Sequence, residues 1–274
     1  MGASFSNTKT KSESKEMVLA ESIPMGDTYS LDIYTHKLGP FLEACVEENL
    51  PAIMEHGVFN MQFKLYATIC TMRRGQILFS DTVSGYTFSR QTVPAHPLSP
   101  RTRELIEICN AFFSATFNAV LVNIYLDGTC SVSDHADKDI GPSGVPTFST
   151  GLPRQFIAKH KVKTAGPNVV VTTCTDQMIH MRGADFQRHC VHTIPPTREG
   201  AAILAAEAKA RKTARDQELP PPALVPVDLE SILASPELLS QVRVSFTLRE
   251  HAIKKEKRVR EGGGGGAASR KAKC

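Results

Sequence analysis

Between residues 119 and 248 the chain breaks into short strand-like runs, and that fragmentation limits the folds open to it. The runs are Ala119–Leu126, Thr147–Thr150, Gln155–Ala158, Asn168–Thr173, Met178–Met181, Val191–Ile194 and Val242–Leu248. Helices lead into them. Pro40–Leu50 repeats apolar residues at spacings of three and four, the period of a helix packed on one side. Ser99-Pro100 supplies an N-cap and a first-turn proline for a second helix, running through Leu105, Ile106, Cys109 and Phe113. Many short strands behind leading helices argue for a sandwich or jelly roll with helical buttresses. The expected fold class is therefore α+β, mainly β.

Two stretches carry chemistry. His135-Ala-Asp137 places an imidazole and a carboxylate two residues apart, and on an extended backbone such side chains share a face. They offer two of the three donors in the facial site of two histidines and one carboxylate that marks non-haem Fe(II) oxygenases. The third donor must come from a later strand, and the segment from Phe186 to Pro195 holds His189 and His192. These are an odd number of residues apart, so on a regular strand they face opposite sides, and at most one is a ligand. The second stretch is Arg243-Val-Ser-Phe-Thr-Leu-Arg249. Its even spacing puts both arginines on one face and Val244, Phe246 and Leu248 on the other. Two forked guanidiniums on one face suit a ligand with two carboxylates, such as 2-oxoglutarate.

Taken in order, these residues resemble the AlkB-like Fe(II)/2-oxoglutarate-dependent dioxygenases. The motifs are Asn123/Tyr125/Gly128, His135/Asp137, Ser149-Thr-Gly151-Leu-Pro-Arg154-Gln-Phe156, Met181-Arg-Gly183, His192-Thr-Ile-Pro195, and Arg243 to Arg249. Upstream, Tyr86-Thr-Phe88-Ser-Arg-Gln91 before Pro97-Leu-Ser-Pro100 resembles a further family segment, so the likeness runs from residue 60 to 250 or so. No single motif is specific; six in register are.

The resemblance implies a double-stranded β-helix (jelly roll) with a helical insertion before the last core strand. It implies His135, Asp137 and His192 as metal ligands, the Val-His-Thr-Ile-Pro context selecting His192 over His189. It places Asn123, Tyr125, Arg243 and Arg249 around 2-oxoglutarate, one arginine on each carboxylate, with Arg249 joining the catalytic set. The segment from Arg73 and Arg74 to Gln91 resembles a nucleotide-recognition lid. Substrate contacts then fall to Arg74, Tyr86, Phe88 and Asp139, the last two residues beyond Asp137. Two readings of Tyr86 and Phe88 stay open: stacking on a base, or packing under the lid. His160, His180 and His189 are read as structural or surface residues.

The implied cofactors are Fe(2+), 2-oxoglutarate and O2. The implied reaction is oxidative demethylation of N-alkylated bases in DNA or RNA, releasing formaldehyde, succinate and CO2. The methylated base must be single-stranded or flipped out of its duplex. The alternative is the same oxygenase chemistry on a protein or lipid. The chain departs from the family twice. An insertion of several dozen residues separates His192 from Arg243, and Cys174-Thr-Asp176-Gln177 replaces the usual Gly-Asp before the methionine strand. Neither touches a proposed ligand.

Residues 26–252 are expected to form the dioxygenase domain, between a polar, disordered tail at 1–25 and a basic, glycine-rich one at 253–274. The insertion spans 198–240; its Ala/Lys/Arg/Glu-rich part, Glu199 to Glu218, reads as a helix, with shorter ones near Asp228 and Ser235. Its cations Lys209, Arg211, Lys212 and Arg215 are open to two readings, a nucleic-acid or lipid contact and a solvated face. Seven cysteines without a Cys-x-x-Cys pair point to a reducing compartment, the cytoplasm or nucleus. No run of about eighteen apolar residues occurs. The net charge of +4 permits a nucleic-acid partner without requiring one. Met1-Gly2-Ala-Ser-Phe-Ser6 matches the N-myristoylation pattern, which with Lys9, Lys11 and Lys15 would give weak membrane association; the other reading is an unmodified tail. A monomer is expected.

Overall fold

The computed structural model describes residues 17–65, 68–88, 91–138, 140–220, 231–232 and 241–251. Its strands are β1 (Val18–Pro24), β2 (Ser30–Thr35), β3 (Gln62–Leu65), β4 (Thr68–Thr71), β5 (Gly75–Phe79), β6 (Gly85–Phe88), β7 (Gln91–His96), β8 (Ala119–Tyr125), β9 (Val132–His135), β10 (Val145–Gly151), β11 (Arg154–His160), β12 (Val169–Thr173), β13 (Gln177–Arg182), β14 (Cys190–Ile194) and β15 (Arg243–Arg249). Its helices are α1 (Gly39–His56), α2 (Pro100–Phe113), α3 (Ala184–His189) and α4 (Arg198–Asp216).

A large sheet runs β1-β2-β13-β10-β15-β8-β5-β7-β6, and a small one runs β12-β11-β14-β9; β3 and β4 pair separately. The two sheets make the jelly roll. Both faces of the large sheet are legible in its register. Ile77, Val122, Phe246, Phe148 and Met178 lie side by side on five neighbouring strands. All five are buried and apolar. One residue along, Gln76, Asn123, Ser245 and Ser149 form a polar row. The side-chain period of two sends that row to the opposite face. Helices α1 and α2 pack on each other and against β10 and β8. Ser99 caps α2 as the sequence implies, its hydroxyl accepting from the Thr102 amide at 3.3 Å.

The strand content begins earlier than the sequence indicates. Residues 18–24, expected in the polar tail, form β1, an edge strand paired with β2 and mostly exposed. An edge strand with little burial carries no apolar alternation to read. In β2 the signal is hidden by Ser30 and Asp32, both buried. Asp32 there accepts from the Ser22 and Ser30 hydroxyls and pairs with Arg182 at 2.9 Å, so its burial is fully compensated. Residues 184–189 form α3, not strand, so His189 ends a helix and the parity comparison with His192 does not apply to it. Most of the segment holding the shorter insertion helices lies outside the described residues, as do 1–16 and 252–274.

Gly151 turns β10 toward β11 with φ of +83°, and a Cβ there would sit 2.0 Å from the Val242 carbonyl oxygen. This is a backbone conformation and a close approach that only glycine meets. At the centre of the apolar row, Phe246→Ala is expected to cost about 3–5 kcal/mol of unfolding free energy. Chemical denaturation of the metal-free protein followed by circular dichroism checks this.

Candidate active site

The end of β9 and the middle of β14 hold the first three groups. His135 pairs across the small sheet with His192, and their rings lie 4.1 Å apart. Asp137 follows β9 by two residues and is buried. His135 Nε2 lies 3.9 Å from Asp137 Oδ1, and His192 Nε2 lies 3.8 Å from Asp137 Oδ2. One ligand atom from each of the three lies within 4.8 Å of the others. His135 Nδ1 is 2.9 Å from the Ser133 carbonyl; a proton donated there leaves Nε2 with its lone pair toward Asp137. The His192 ring is stacked on Phe156 at 5.4 Å. Asp137 Oδ2 is buried without a hydrogen-bond partner among the described residues. A buried carboxylate oxygen left bare beside the His192 imidazole, in a carboxylate that also faces His135, fits a cation.

The electrostatics agree. Burial pushes the His192 imidazole down to about 3, with His135 adding to the effect. Burial also lowers His135, against the pull of Asp137. Burial alone would raise the Asp137 carboxyl; Arg249, His192 and His135 together outweigh it and hold it well below the usual carboxylate range. At neutral pH the set is two neutral imidazoles and one carboxylate, the protonation state in which all three bind metal.

The arginines of β15 are the anchor. Both lie on one face as the spacing predicts, and both are buried. Arg243 donates from Nη2 to Ser149 Oγ at 2.8 Å and lies over the Tyr125 ring at 4.8 Å. Arg249 donates from Nη2 to Asp137 Oδ1 at 2.6 Å and lies over the Tyr86 ring at 4.6 Å. Among the described residues, Nε and Nη1 of each arginine are buried with no hydrogen-bond partner. Arg74 adds a third cation: its Nε donates to Asn123 Oδ1 at 2.9 Å, and Gln76 donates to the same oxygen at 3.2 Å. Three guanidiniums against one carboxylate is a buried surplus of positive charge, costly unless an anion joins them. A dicarboxylate supplies that anion and meets the bare guanidinium nitrogens.

The structure thus brings together His135, Asp137, His192, Asn123, Tyr125, Arg243 and Arg249. Two lid residues are placed differently from a surface that grips substrate. Arg74 turns inward to Asn123, and Tyr86 is buried over Arg249 and presents no open ring face like that of a free stacking platform. Asp139 and the Phe88 side chain lie outside the described residues. Of the histidines read as structural, His180 bonds the Ser143 carbonyl at 2.7 Å and His189 stacks on Tyr29.

Sequence reasoning missed Gln187. Its Oε1 accepts the Asp137 amide at 2.8 Å while its Nε2 reaches Met181 Sδ at 3.1 Å, so α3 fixes the backbone of the metal carboxylate. Arg154 stands out in the sequence only as part of a motif. Its guanidinium donates to the carbonyls of Asp127, Cys130 and Pro195, tying the loop before β9 to the end of β14. Phe156, two residues along β11 from Arg154 and on the same face, stacks on His192 of the neighbouring β14.

The description 2OG-Fe(II) oxygenase superfamily matches residues 58–249. The chain belongs to that superfamily, whose members use Fe(2+), 2-oxoglutarate and O2. Within it the chain is similar to DNA oxidative demethylases named ALKBH2. It is 30% identical over 130 residues to the DNA oxidative demethylase ALKBH2 of Mus musculus, covering 44% of this chain and 54% of that protein. It is 32% identical over 91 residues to the DNA oxidative demethylase ALKBH2 of Homo sapiens, covering 32% and 35%. The chain thus spans about half, or less, of the length of these relatives. The solved structure of OsALKBH1 aligns over 84% of this chain and 100% of that one, with a TM-score of 0.44 and 13% identity.

The lowered His192 has a consequence for stability. An unfolded chain takes up a proton on this residue near 6.5, the folded one only near 3. The metal-free protein is therefore expected to be most stable above pH 6.5 and to lose about 1.4 kcal/mol per pH unit from this residue as the pH falls below it. Thermal unfolding from pH 8 to pH 5 checks this, and His192→Asn should flatten the profile.

Proposed function

We propose that this chain oxidatively demethylates N-alkylated bases in DNA or RNA, with Fe(II), 2-oxoglutarate and O2. The observation that carries the nucleic-acid part is the 30% identity to a DNA oxidative demethylase over 130 residues. The oxygenase part is supported by the His135/Asp137/His192 set beside two buried arginines with bare donors.

When bound, iron with 2-oxoglutarate and O2 supplies the oxidation that hydroxylates the N-methyl carbon, forming succinate and CO2, after which the N-hydroxymethyl base loses formaldehyde. The chain's own residues arrange this. His135, Asp137 and His192 would hold the metal through two nitrogens and one oxygen. Arg243, backed by Tyr125 and Ser149, would neutralise one carboxylate of 2-oxoglutarate, and Arg249 the other. Arg249 also orients Asp137 through Oδ1, leaving Oδ2 free of hydrogen bonds among the described residues and beside His192 Nε2. The Tyr86 ring shields that ion pair from water, which strengthens it. The base would reach the site single-stranded or flipped. The protein works as a monomer inside the cell, weakly held at membranes through a myristoyl group on Gly2. The seven scattered cysteines support the intracellular setting, and the Met1–Ser6 pattern supports the acyl group. The mass of the N-terminal peptide from the native source checks the acyl group, and a plain Gly2 overturns it.

The deciding experiment reconstitutes the full chain anaerobically with Fe(II) and 2-oxoglutarate, then admits air and a panel of methylated DNA and RNA oligonucleotides. One methyl group lost per succinate formed is expected, and His135→Ala and Asp137→Ala should abolish both. Arg243→Gln should raise KM for 2-oxoglutarate about 10- to 100-fold, as for a lost hydrogen bond between charged groups. Steady succinate formation with every oligonucleotide unchanged would move the substrate to proteins or lipids.

A further inference from the structure

The helix α4 stands apart from the jelly roll chemically and is tied to it at two points. At its start, the Thr197 hydroxyl caps the Gly200 amide at 3.0 Å, and the Thr197 amide donates to the Gly128 carbonyl at 2.8 Å. Gly128 closes the loop that follows Tyr125. Midway along, Glu207 forms an ion pair with Arg73. The next residue, Arg74, donates to Asn123 inside the site. The middle of α4 is thus one residue of chain away from a group that touches the cosubstrate position.

Past that anchor the helix turns strongly basic. Lys209, Arg211, Lys212 and Arg215 fall within seven residues, and all four are exposed. Arg211 and Arg215, four apart, share one side, and Lys209 and Lys212, three apart, lie on the next side round, so the four cations cover roughly half the helix circumference. The part-buried Leu204 and Glu207 precede Arg211 by seven and four residues and lie on its side of the helix, so Lys209 and Lys212 are the cations farthest from the part-buried stripe. Among the described residues no carboxylate pairs with Lys209, Arg211 or Lys212; Arg215 approaches its neighbour Asp216 at 3.9 Å. Acids stand three or four residues from three of these cations (Glu207 before Arg211, Asp216 after Lys212, Glu218 after Arg215), yet Glu207 is drawn off to Arg73 and, among the described residues, none pairs with Arg211 or Lys212. Four cations along about 9 Å of helix suit a run of phosphates.

We propose that the exposed basic face of α4 binds the phosphate backbone of a nucleic-acid strand outside the catalytic pocket, held beside the site by the Glu207–Arg73 pair. This rests on the nucleic-acid reading above. The contact adds affinity for long strands and carries no base preference, because phosphates hold a strand without reading its sequence.

The test uses the full chain and the variant Lys209→Gln/Arg211→Gln/Lys212→Gln/Arg215→Gln. The probes are a 20-nucleotide and a 3-nucleotide single-stranded deoxyoligonucleotide, roughly the lengths that do and do not extend past one binding site, each with one N-methylated base. Anionic phosphatidylserine vesicles serve as a third probe. The variant is expected to bind the longer strand at least tenfold more weakly at low salt. Its salt slope should fall by roughly 2, within the ceiling of about 0.7 for each of four lost contacts. Turnover of the 3-nucleotide substrate should stay as in the parent. Unchanged affinity and slope on the longer strand would overturn the proposal, as would loss of vesicle binding alone. Failure of the demethylase reading shows separately, as absent methyl loss from both strands in the parent protein, while the binding slopes still report on α4. A further variant with each lysine and arginine exchanged for the other should restore binding, since the charge is kept.

Discussion

The buried pair between Arg249 and Asp137 is the interaction on which the site depends. It joins the last core strand of the large sheet to the carboxylate that follows β9 in the small one. Removing either partner would strand a charge in a dry interior, a larger loss than the pair itself contributes to stability. Its value lies in position. With Oδ1 held by a guanidinium, the Asp137 carboxylate cannot rotate freely, and the oxygen left bare is the one beside His192. Gln187 fixes the same residue from its backbone side. The carboxylate is set from both ends before any metal arrives, which is the preorganisation that a reactive centre requires.

The large sheet makes this possible by separating its two faces cleanly. One face is a continuous apolar row from Ile77 to Met178 that the helices α1 and α2 back. The other is a polar row from Gln76 to Ser149, flanked by Tyr125 and the two arginines of β15. Stability is generated on the first face, so that polar and charged groups can be afforded on the second. The cations are kept apart by the length of one strand, Arg243 at its start and Arg249 at its end, so that a bound dicarboxylate would meet one at each end.

Much of the site was legible because its residues obey the period of two. His135 with Asp137, at and just past the end of β9, and Arg243 with Arg249 on β15 are even pairs on extended chain, and the structure keeps each pair together. His192 needed the family context, because the strand rule compares it with His189, which ends a helix. Gln187 was invisible for a related reason: it acts from a short helix wedged between two strands, where no strand pattern applies. Arg74 and Tyr86 carry the opposite lesson. Basic and aromatic residues in a lid suggest a surface for substrate, and only three-dimensional packing shows that both turn inward. The early strands β1 and β2 were hidden by exposure in the first and by the compensated burial of Asp32 in the second.

The contact between Gly200 and Gly128 sets a limit on how the insertion can be exchanged. A Cβ on Gly200 would lie 2.0 Å from the Gly128 carbonyl oxygen, so the first turn of α4 is seated directly on core backbone. The boundary between scaffold and insertion therefore falls inside the helix rather than at its first residue. A chimera that replaces the segment at Arg198 would cut through the core's own packing. One that keeps Thr197 to Leu204 and grafts new sequence beyond would leave the seat intact, and the outer helix becomes an exchangeable arm on a fixed root.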